Sequence, residues 1–268
     1  MKTESLWLGS LRQPMRKLMI AFITLTLLMF GVILVSNMFS EEFLGVHEMI
    51  RPEGRPMVGI MLFLLAGTML TSSIYLSDTV ESIEGHPQGF FDILSLVVSR
   101  TAMVLTALTV LVMFYEVVLR YLFSAPTLWA NELSLWMASF IFLFAGQYAM
   151  QQRSHIRIYV IYDLMPRWMK KTADVISCFL IVFFAFALVW GNYADAMRRF
   201  LRMETFGTAW DPPIPGIVKP AILIIIVLVA IQAISNLIAD WNKEPESHSP
   251  MDDIDQEEIE NIRRTLEK

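Results

Sequence analysis

Six long, predominantly apolar segments follow one another along this 268-residue chain and constrain its fold more than any other feature. The predicted spans cover approximately 18–40, 57–77, 93–119, 131–152, 174–195 and 217–240. A helix needs roughly 20 apolar residues to cross the hydrocarbon core of a bilayer. A transmembrane barrel would instead show alternating segments of roughly 10 residues, and this sequence has none. We therefore expect an all-α integral membrane protein with about six transmembrane helices.

The composition agrees with a membrane location and gives little indication of disulfide bonding, nucleic-acid binding or metal binding. Apolar residues make up 55% of the chain and charged residues 18%, compared with roughly 25% charged residues in soluble domains. The single cysteine, Cys178, lies within a span, so the chain forms no internal disulfide. The net charge of −5 comes mostly from the C-terminal tail and does not indicate nucleic-acid binding. No metal-ligand cluster or phosphate-binding loop stands out, and we expect no cofactor.

Basic residues near the span ends predict that both termini lie in the cytoplasm. The cytoplasmic set would be Lys2, Arg12, Arg16, Lys17, Arg100, Arg153, Arg157, Arg167, Lys170, Lys171 and Lys243. The smaller external set would be Arg51, Arg55, Arg120, Arg198, Arg199, Arg202 and Lys219. The first apolar segment is too long for a typical signal peptide and has no small-residue cleavage site after it, so we interpret it as a retained span.

Ionisable residues within spans are the default candidates for function in a membrane protein. Glu116 and Arg120 are four residues apart and can pair on one helix. No span carries a lone carboxylate at its middle or a central Gly/Pro interruption, which are features of many ion-coupled transporters. This pattern weighs against a complete transporter without excluding one.

Span four carries the most ordered polar pattern in the sequence. Its members recur at spacings of three and four residues and would share one side of a helix: Trp129, Glu132, Trp136, Ser139, Leu143 and Gln147. One interpretation is a tryptophan belt at the membrane surface combined with ordinary helix packing. The other is a docking face for a second helix or subunit, because polar groups that face lipid are costly.

The histidines and the basic loop suggest contacts at the membrane surface rather than haem ligation. His47, His86, His155 and His248 all lie outside the predicted spans, whereas membrane cytochromes usually hold haem between helices. His155 and Arg157 fall in the basic loop after span four. They either touch phospholipid headgroups or form a specific cytoplasmic contact with a partner protein.

Four motifs in a fixed order resemble one family of membrane proteins. They are Glu116-Val-Val-Leu-Arg-Tyr, Trp129-Ala-Asn-Glu-Leu, His155-Ile-Arg-Ile and Glu204-Thr-Phe-Gly-Thr-Ala-Trp-Asp-Pro-Pro. Together they resemble the small membrane subunit of tripartite ATP-independent periplasmic (TRAP) transporters, the DctQ-like family. The fourth motif is similar to the branch of that family assigned to mannitol or chloroaromatic compounds. The resemblance extends over roughly residues 90–241.

The resemblance implies a division of the chain into three parts. Residues 90–242 would form the four-helix family core, and residues 1–89 would form an N-terminal extension with the first two spans. Residues 243–268 would form an acidic cytoplasmic tail. Within it, Ile259, Ile262 and Leu266 fit a short amphipathic helix, and a solvated, frayed tail is the alternative. In the core, a first-turn proline, Pro220, is expected to open the last span.

Membership would imply a non-catalytic subunit of the bacterial inner membrane that acts with two other proteins. A large membrane subunit would hold the substrate and sodium sites, and a periplasmic binding protein would deliver an organic acid. Arg120, Trp129, Glu132, Trp136 and Gln147 would then form the interface with the large subunit. A self-contained channel or transporter and a membrane anchor of a redox complex remain alternatives.

Overall fold

The computed structural model describes residues 5–39, 44–50, 54–79, 84, 86–87, 89–153 and 165–242. Within these residues, six helices are long and apolar enough to cross a membrane. They are α1 (Arg12–Phe39), α2 (Pro56–Leu76), α3 (Phe90–Leu122), α4 (Ala130–Gln151), α5 (Arg167–Leu201) and α6 (Ile214–Asp240). The described residues contain no strand, and the predicted all-α membrane fold with six long helices is confirmed.

The helices pack in an order that differs from their order in the chain. α1 packs mainly on α2, α2 on α3, α3 on α4, α4 on α6, and α6 on α5, while α3 also touches α6. α1 and α5 are therefore the two edge helices of an open arrangement. Most of their side chains are exposed, because each has one main neighbour.

α3 and α5 extend beyond the apolar runs that predicted them. Charged residues at their ends are neutralised within the helix, as in the Glu116–Arg120 pair of α3 and the Asp195–Arg199 pair of α5. Pairs at this spacing support a helix at the membrane boundary, where hydropathy alone would end it. Hydropathy therefore locates these helices correctly but underestimates their length.

The start of α6 corrects the expectation for Pro220. The helix begins at Ile214, and Pro215 occupies the first turn, where a missing N–H costs nothing. Pro220 lies inside the helix instead and cannot donate the usual bond to the carbonyl of Gly216. The irregular connection before α6 therefore ends earlier than the apolar run suggested.

Polar contacts gather at two opposite ends of the helices. At one end, the backbone amide of Leu6 binds the carbonyl of Asp78, and Arg153 pairs with Asp240. We call this the arm end, because the N-terminal arm (residues 5–11) lies there. At the other end, the turn end, the indole Nε1 of the buried Trp210 donates to the carbonyl of His47 at 3.1 Å. That bond joins the α1–α2 loop to the α5–α6 loop.

Candidate functional site

The Glu116 carboxylate organises the tight turn between α3 and α4. Glu116 is almost fully buried, and its Oε1 accepts a hydrogen bond from Arg120 Nε at 3.0 Å. Its Oε2 accepts the backbone amide of Thr127 at 2.9 Å and also the Thr127 hydroxyl. The same hydroxyl accepts a bond from the Ala130 amide at the start of α4. The carboxylate thus ties the end of α3 to the first turn of α4.

Two of the predicted interface residues flank this carboxylate. The side chain of Arg120 is about half exposed (46%), so only part of its guanidinium is used by Glu116. The ring of Trp129 stacks on Tyr115, with 6.0 Å between centroids. Both residues therefore lie beside the α3–α4 turn with part of their surface accessible to another molecule.

The first two turns of α4 carry polar atoms that the described residues leave unsatisfied. Glu132 Oε2, Ser134 Oγ and Trp136 Nε1 are buried without a hydrogen-bond partner among those residues. Buried polar atoms in native proteins nearly always have partners. These three side-chain atoms in the first two turns of α4 therefore lack the hydrogen-bond partners that such atoms usually have.

Gln147 lies elsewhere and in a different environment. It is 2% exposed, and its backbone carbonyl accepts a bond from the Ser95 hydroxyl of α3 at 3.2 Å. Fifteen residues separate it from Glu132, or roughly 22 Å along the helix axis. Its side chain is packed inside the chain, whereas the other four predicted interface residues lie in the last turn of α3, just before α4 or in the first two turns of α4.

A buried polar layer near the arm end joins α3, α4 and α6. Gln232 Nε2 donates to Asp92 Oδ1 at 2.6 Å and to Asn236 Oδ1 at 2.9 Å. Asn236 in turn donates to the carbonyl of Met150 at 2.7 Å. This pair could have been found from the sequence, because Gln232 and Asn236 are polar residues four positions apart within a predicted span. These bonds fix the packing of three core helices.

A second buried cluster ties the predicted extension to the core. The guanidinium of Arg100 donates two bonds to Glu84, at 2.9 and 2.6 Å, and one to the carbonyl of Thr79 at 2.9 Å. The Tyr148 hydroxyl donates to Glu84 at 2.6 Å. Side chains of both charged residues are 8% exposed. The oxygen atoms that accept bonds from Arg100 thus belong to residues 1–89, whereas Arg100 and Tyr148 belong to residues 90–242.

One carboxylate accepts most of the hydrogen bonds that hold the N-terminal arm. Asp78 Oδ1 accepts bonds from the amides of Trp7 and Leu8 and from the Ser5 hydroxyl, at 2.8 to 3.0 Å. Arg12 Nε lies 3.4 Å from the other oxygen. Burial raises the pKa of Asp78, but these hydrogen bonds and the charge of Arg12 outweigh it and hold the pKa below its ordinary value. The carboxylate is therefore ionised at neutral pH and anchors the arm.

Three basic residues at the turn end share one carboxylate as a partner. Asp195 accepts bonds from Arg198 at 3.0 Å, Arg199 at 2.9 Å and Lys219 at 2.8 Å. Arg199 also pairs with Glu204. These contacts join the end of α5 to the start of α6 and pair five charged residues with one another.

Two further predictions concern residues outside the described part of the chain. His155 and Arg157, expected at lipid headgroups or a cytoplasmic partner, fall in the undescribed range 154–164. The amphipathic helix expected in the tail lies beyond residue 242 and is also outside it. Among the described residues, no group of three or more His, Cys, Asp or Glu could hold a metal ion.

The fold and these contacts define a multi-pass helical membrane protein whose described intramembrane charges mostly hold helices together. The family model for tripartite ATP-independent periplasmic transporters, DctQ component, matches residues 109–243, and the chain belongs to this family. A relative is the C4-dicarboxylate TRAP transporter small permease protein DctQ of Vibrio cholerae serotype O1. It is 22% identical over 141 residues, which are 53% of this chain and 53% of that protein. The chain thus spans about half the length of the curated relative that it matches. No solved structure matches the chain.

Proposed function

We propose that this chain is the non-catalytic small permease subunit of a TRAP-type secondary transporter. It scaffolds a large membrane subunit that moves an organic acid into the cell with sodium, after delivery by a periplasmic binding protein. The family match over residues 109–243 carries this proposal. The use of Glu116 and Asp195 in contacts between helix ends supports a structural role for the chain.

The interface with the large subunit includes Arg120, Trp129, Glu132 and Trp136. Arg120 and Trp129 keep accessible surface beside the α3–α4 turn, and Glu132 and Trp136 carry the unsatisfied atoms of α4. A partner that packs on this region covers the accessible surface of Arg120 and Trp129. His155 and Arg157 are assigned to phospholipid headgroups on the cytoplasmic side, where a basic loop meets anionic lipid.

Co-purification and reconstitution test this function. A tagged chain should bring down a larger, more hydrophobic membrane protein. Uptake into liposomes should require that protein, the binding protein and an inward sodium gradient. Transport by the small chain alone would overturn the proposal, as would its recovery from the membrane without a larger partner.

A further inference from the structure

The first two helices form a hairpin that has contacts of its own. Thr26 Oγ1 of α1 lies 2.9 Å from Thr68 Oγ1 of α2. The ring of Phe22 packs so closely on Gly67 that a Cβ atom there would overlap it. Among the described residues, α1 has no substantial contact with α3, α4, α5 or α6. The hairpin is therefore attached to the rest of the chain through α2 and the loops on either side of it.

The side of the core that contacts the hairpin carries three hydrogen-bonding side chains. Thr101 Oγ1 of α3 lies 2.9 Å from Ser73 Oγ of α2, and Ser73 has no exposed surface. The Arg100 guanidinium and the Tyr148 hydroxyl both bind the carboxylate of Glu84, which follows α2 in the chain. We call Arg100, Thr101 and Tyr148 the polar socket.

The polar socket distinguishes a protein helix from lipid tails. Lipid tails are as apolar as leucine, so apolar surface alone gives a transmembrane helix little preference for another helix. An ionised side chain that faces hydrocarbon is costly. The Arg100 side chain is 8% exposed, and it donates to the Glu84 carboxylate and the Thr79 carbonyl. The core therefore favours, at this place, a helix that brings these oxygen atoms with it.

A separate contact holds the hairpin at the turn end. The indole of the buried Trp210 donates to the carbonyl of His47, in the loop between α1 and α2. The hairpin thus contacts residues 90–242 at both ends of the helices and along α3. All of these contacts join residues before Pro87 to residues after Gly89, so none of them requires an unbroken connection between those two positions.

We propose that the polar socket is a docking site for a transmembrane helix that is followed by a carboxylate, and that the hairpin occupies it as a non-covalently bound unit. The connection to α3 then acts as a tether that keeps the hairpin at a high local concentration, while the polar contacts hold it in place. With α2 in the socket, this side of α3 is closed to the large subunit. Attachment of the hairpin does not depend on the large subunit, so this interface goes beyond the proposed function.

Cleavage of the intact, folded chain tests the proposal. A recognition sequence for a specific protease is inserted directly after Pro87, between the exposed residues His86 and Gly89. The full-length chain also carries a C-terminal affinity tag. The purified protein is cut and then washed on the affinity resin in a mild detergent. The fragment that contains α1 and α2 should stay with the tagged core through the washes.

Two substitutions in the contact and one control identify what retains the fragment. Glu84→Gln removes the charge that Arg100 binds, and Thr101→Val removes the hydroxyl at the α2 contact while keeping the shape. Both should release the cut fragment faster. The increase for Glu84→Gln should be about tenfold or more, because a buried charge loses its counter-charge. Asp240→Asn is the matched control, since it removes the arm-end ion pair with Arg153 inside the core and should leave release unchanged.

Size-exclusion chromatography before cleavage establishes that each variant is folded, because the uncut chain keeps its hairpin attached. Complete loss of the fragment from the otherwise unaltered chain after cutting would overturn the proposal. Equal release rates for Glu84→Gln, Thr101→Val and Asp240→Asn would also overturn it, since apolar packing alone would then hold the hairpin. Neither result bears on the proposed function, which is tested by recovery of the large subunit.

Discussion

Glu116 illustrates how a single carboxylate inside a span can serve structure alone. It is buried between Arg120 and Thr127, and its two oxygens accept bonds from both. The Glu116→Gln substitution keeps the shape but turns an amide NH2 toward donors. We expect it to lower the free energy of unfolding by about 1–3 kcal/mol, measured by denaturation in detergent. The Arg120→Gln substitution should lower the free energy of unfolding by a smaller amount, because Arg120 is half exposed. An equal loss of stability from the two substitutions would contradict this account.

Gly216 lies where the chain has no room for a side chain. A Cβ atom there would lie 2.9 Å from the backbone nitrogen of Glu204 and 3.2 Å from the carbonyl of Arg199. Backbone atoms cannot rotate away, so Gly216→Ala should destabilise the chain by about 1–3 kcal/mol. Gly146→Ala is the matched control, since a Cβ on that α4 residue meets open space. The control should be neutral or slightly stabilising in the same assay, because alanine favours the helix.

Asp78 makes attachment of the N-terminal arm dependent on pH. Its pKa is lower in the folded chain than in the unfolded chain, so its contribution to stability is complete above the unfolded pKa of about 4. That contribution is lost as the pH falls from there through the folded pKa. We expect proteolysis of the arm to become faster as the pH falls below about 4. The Asp78→Asn variant should already show this faster cleavage at neutral pH. A pH-independent rate in the unaltered chain would contradict this assignment.

Among the elements, the first two helices are joined to the core by a buried ion pair. Removing residues 2–88 deletes Glu84 and the Thr79 carbonyl and leaves the buried Arg100 without those partners. An unpaired buried charge costs several kcal/mol, so the shortened chain should aggregate or be recovered at low yield. Adding Arg100→Leu to it should restore a monodisperse peak in size-exclusion chromatography. An equally good yield from the shortened chain with Arg100 intact would show that the core does not depend on the extension.

The elements also show what the sequence could and could not disclose. Hydropathy predicts all six helices, because crossing a bilayer requires a long apolar run that any window detects. The Glu116–Arg120 pair was predictable, since its members are four residues apart on one helix. The bonds from Trp210 to His47 and from Tyr148 to Glu84 were not, because they join residues 163 and 64 positions apart. No local pattern encodes such pairings, which depend on the order in which the helices pack.

At the scale of the whole molecule, the contacts place the two ends of the described chain, the arm (residues 5–11) and Trp241, at the same end of the helices. The arm binds Asp78 beside the end of α2, and Lys171 of α5 lies over the ring of Trp241, 4.6 Å from its centroid. Tyr148 and Glu84 connect these two regions. The distribution of Lys and Arg predicts that this arm end faces the cytoplasm. The turn end, with the α5–α6 loop, would then face the periplasm.

Cysteine labelling in intact cells tests this orientation, and the chain suits the experiment because Cys178 is its single cysteine. In a Cys178→Ala background, Thr208→Cys places a thiol on the exposed α5–α6 loop, and Asn242→Cys places one on the exposed chain just after α6. A membrane-impermeant maleimide should label the Thr208 position directly and the Asn242 position only after permeabilisation. The reverse order would place both termini outside. It would also assign the loop containing His155 and Arg157 to the periplasm, away from the anionic headgroups proposed to bind it.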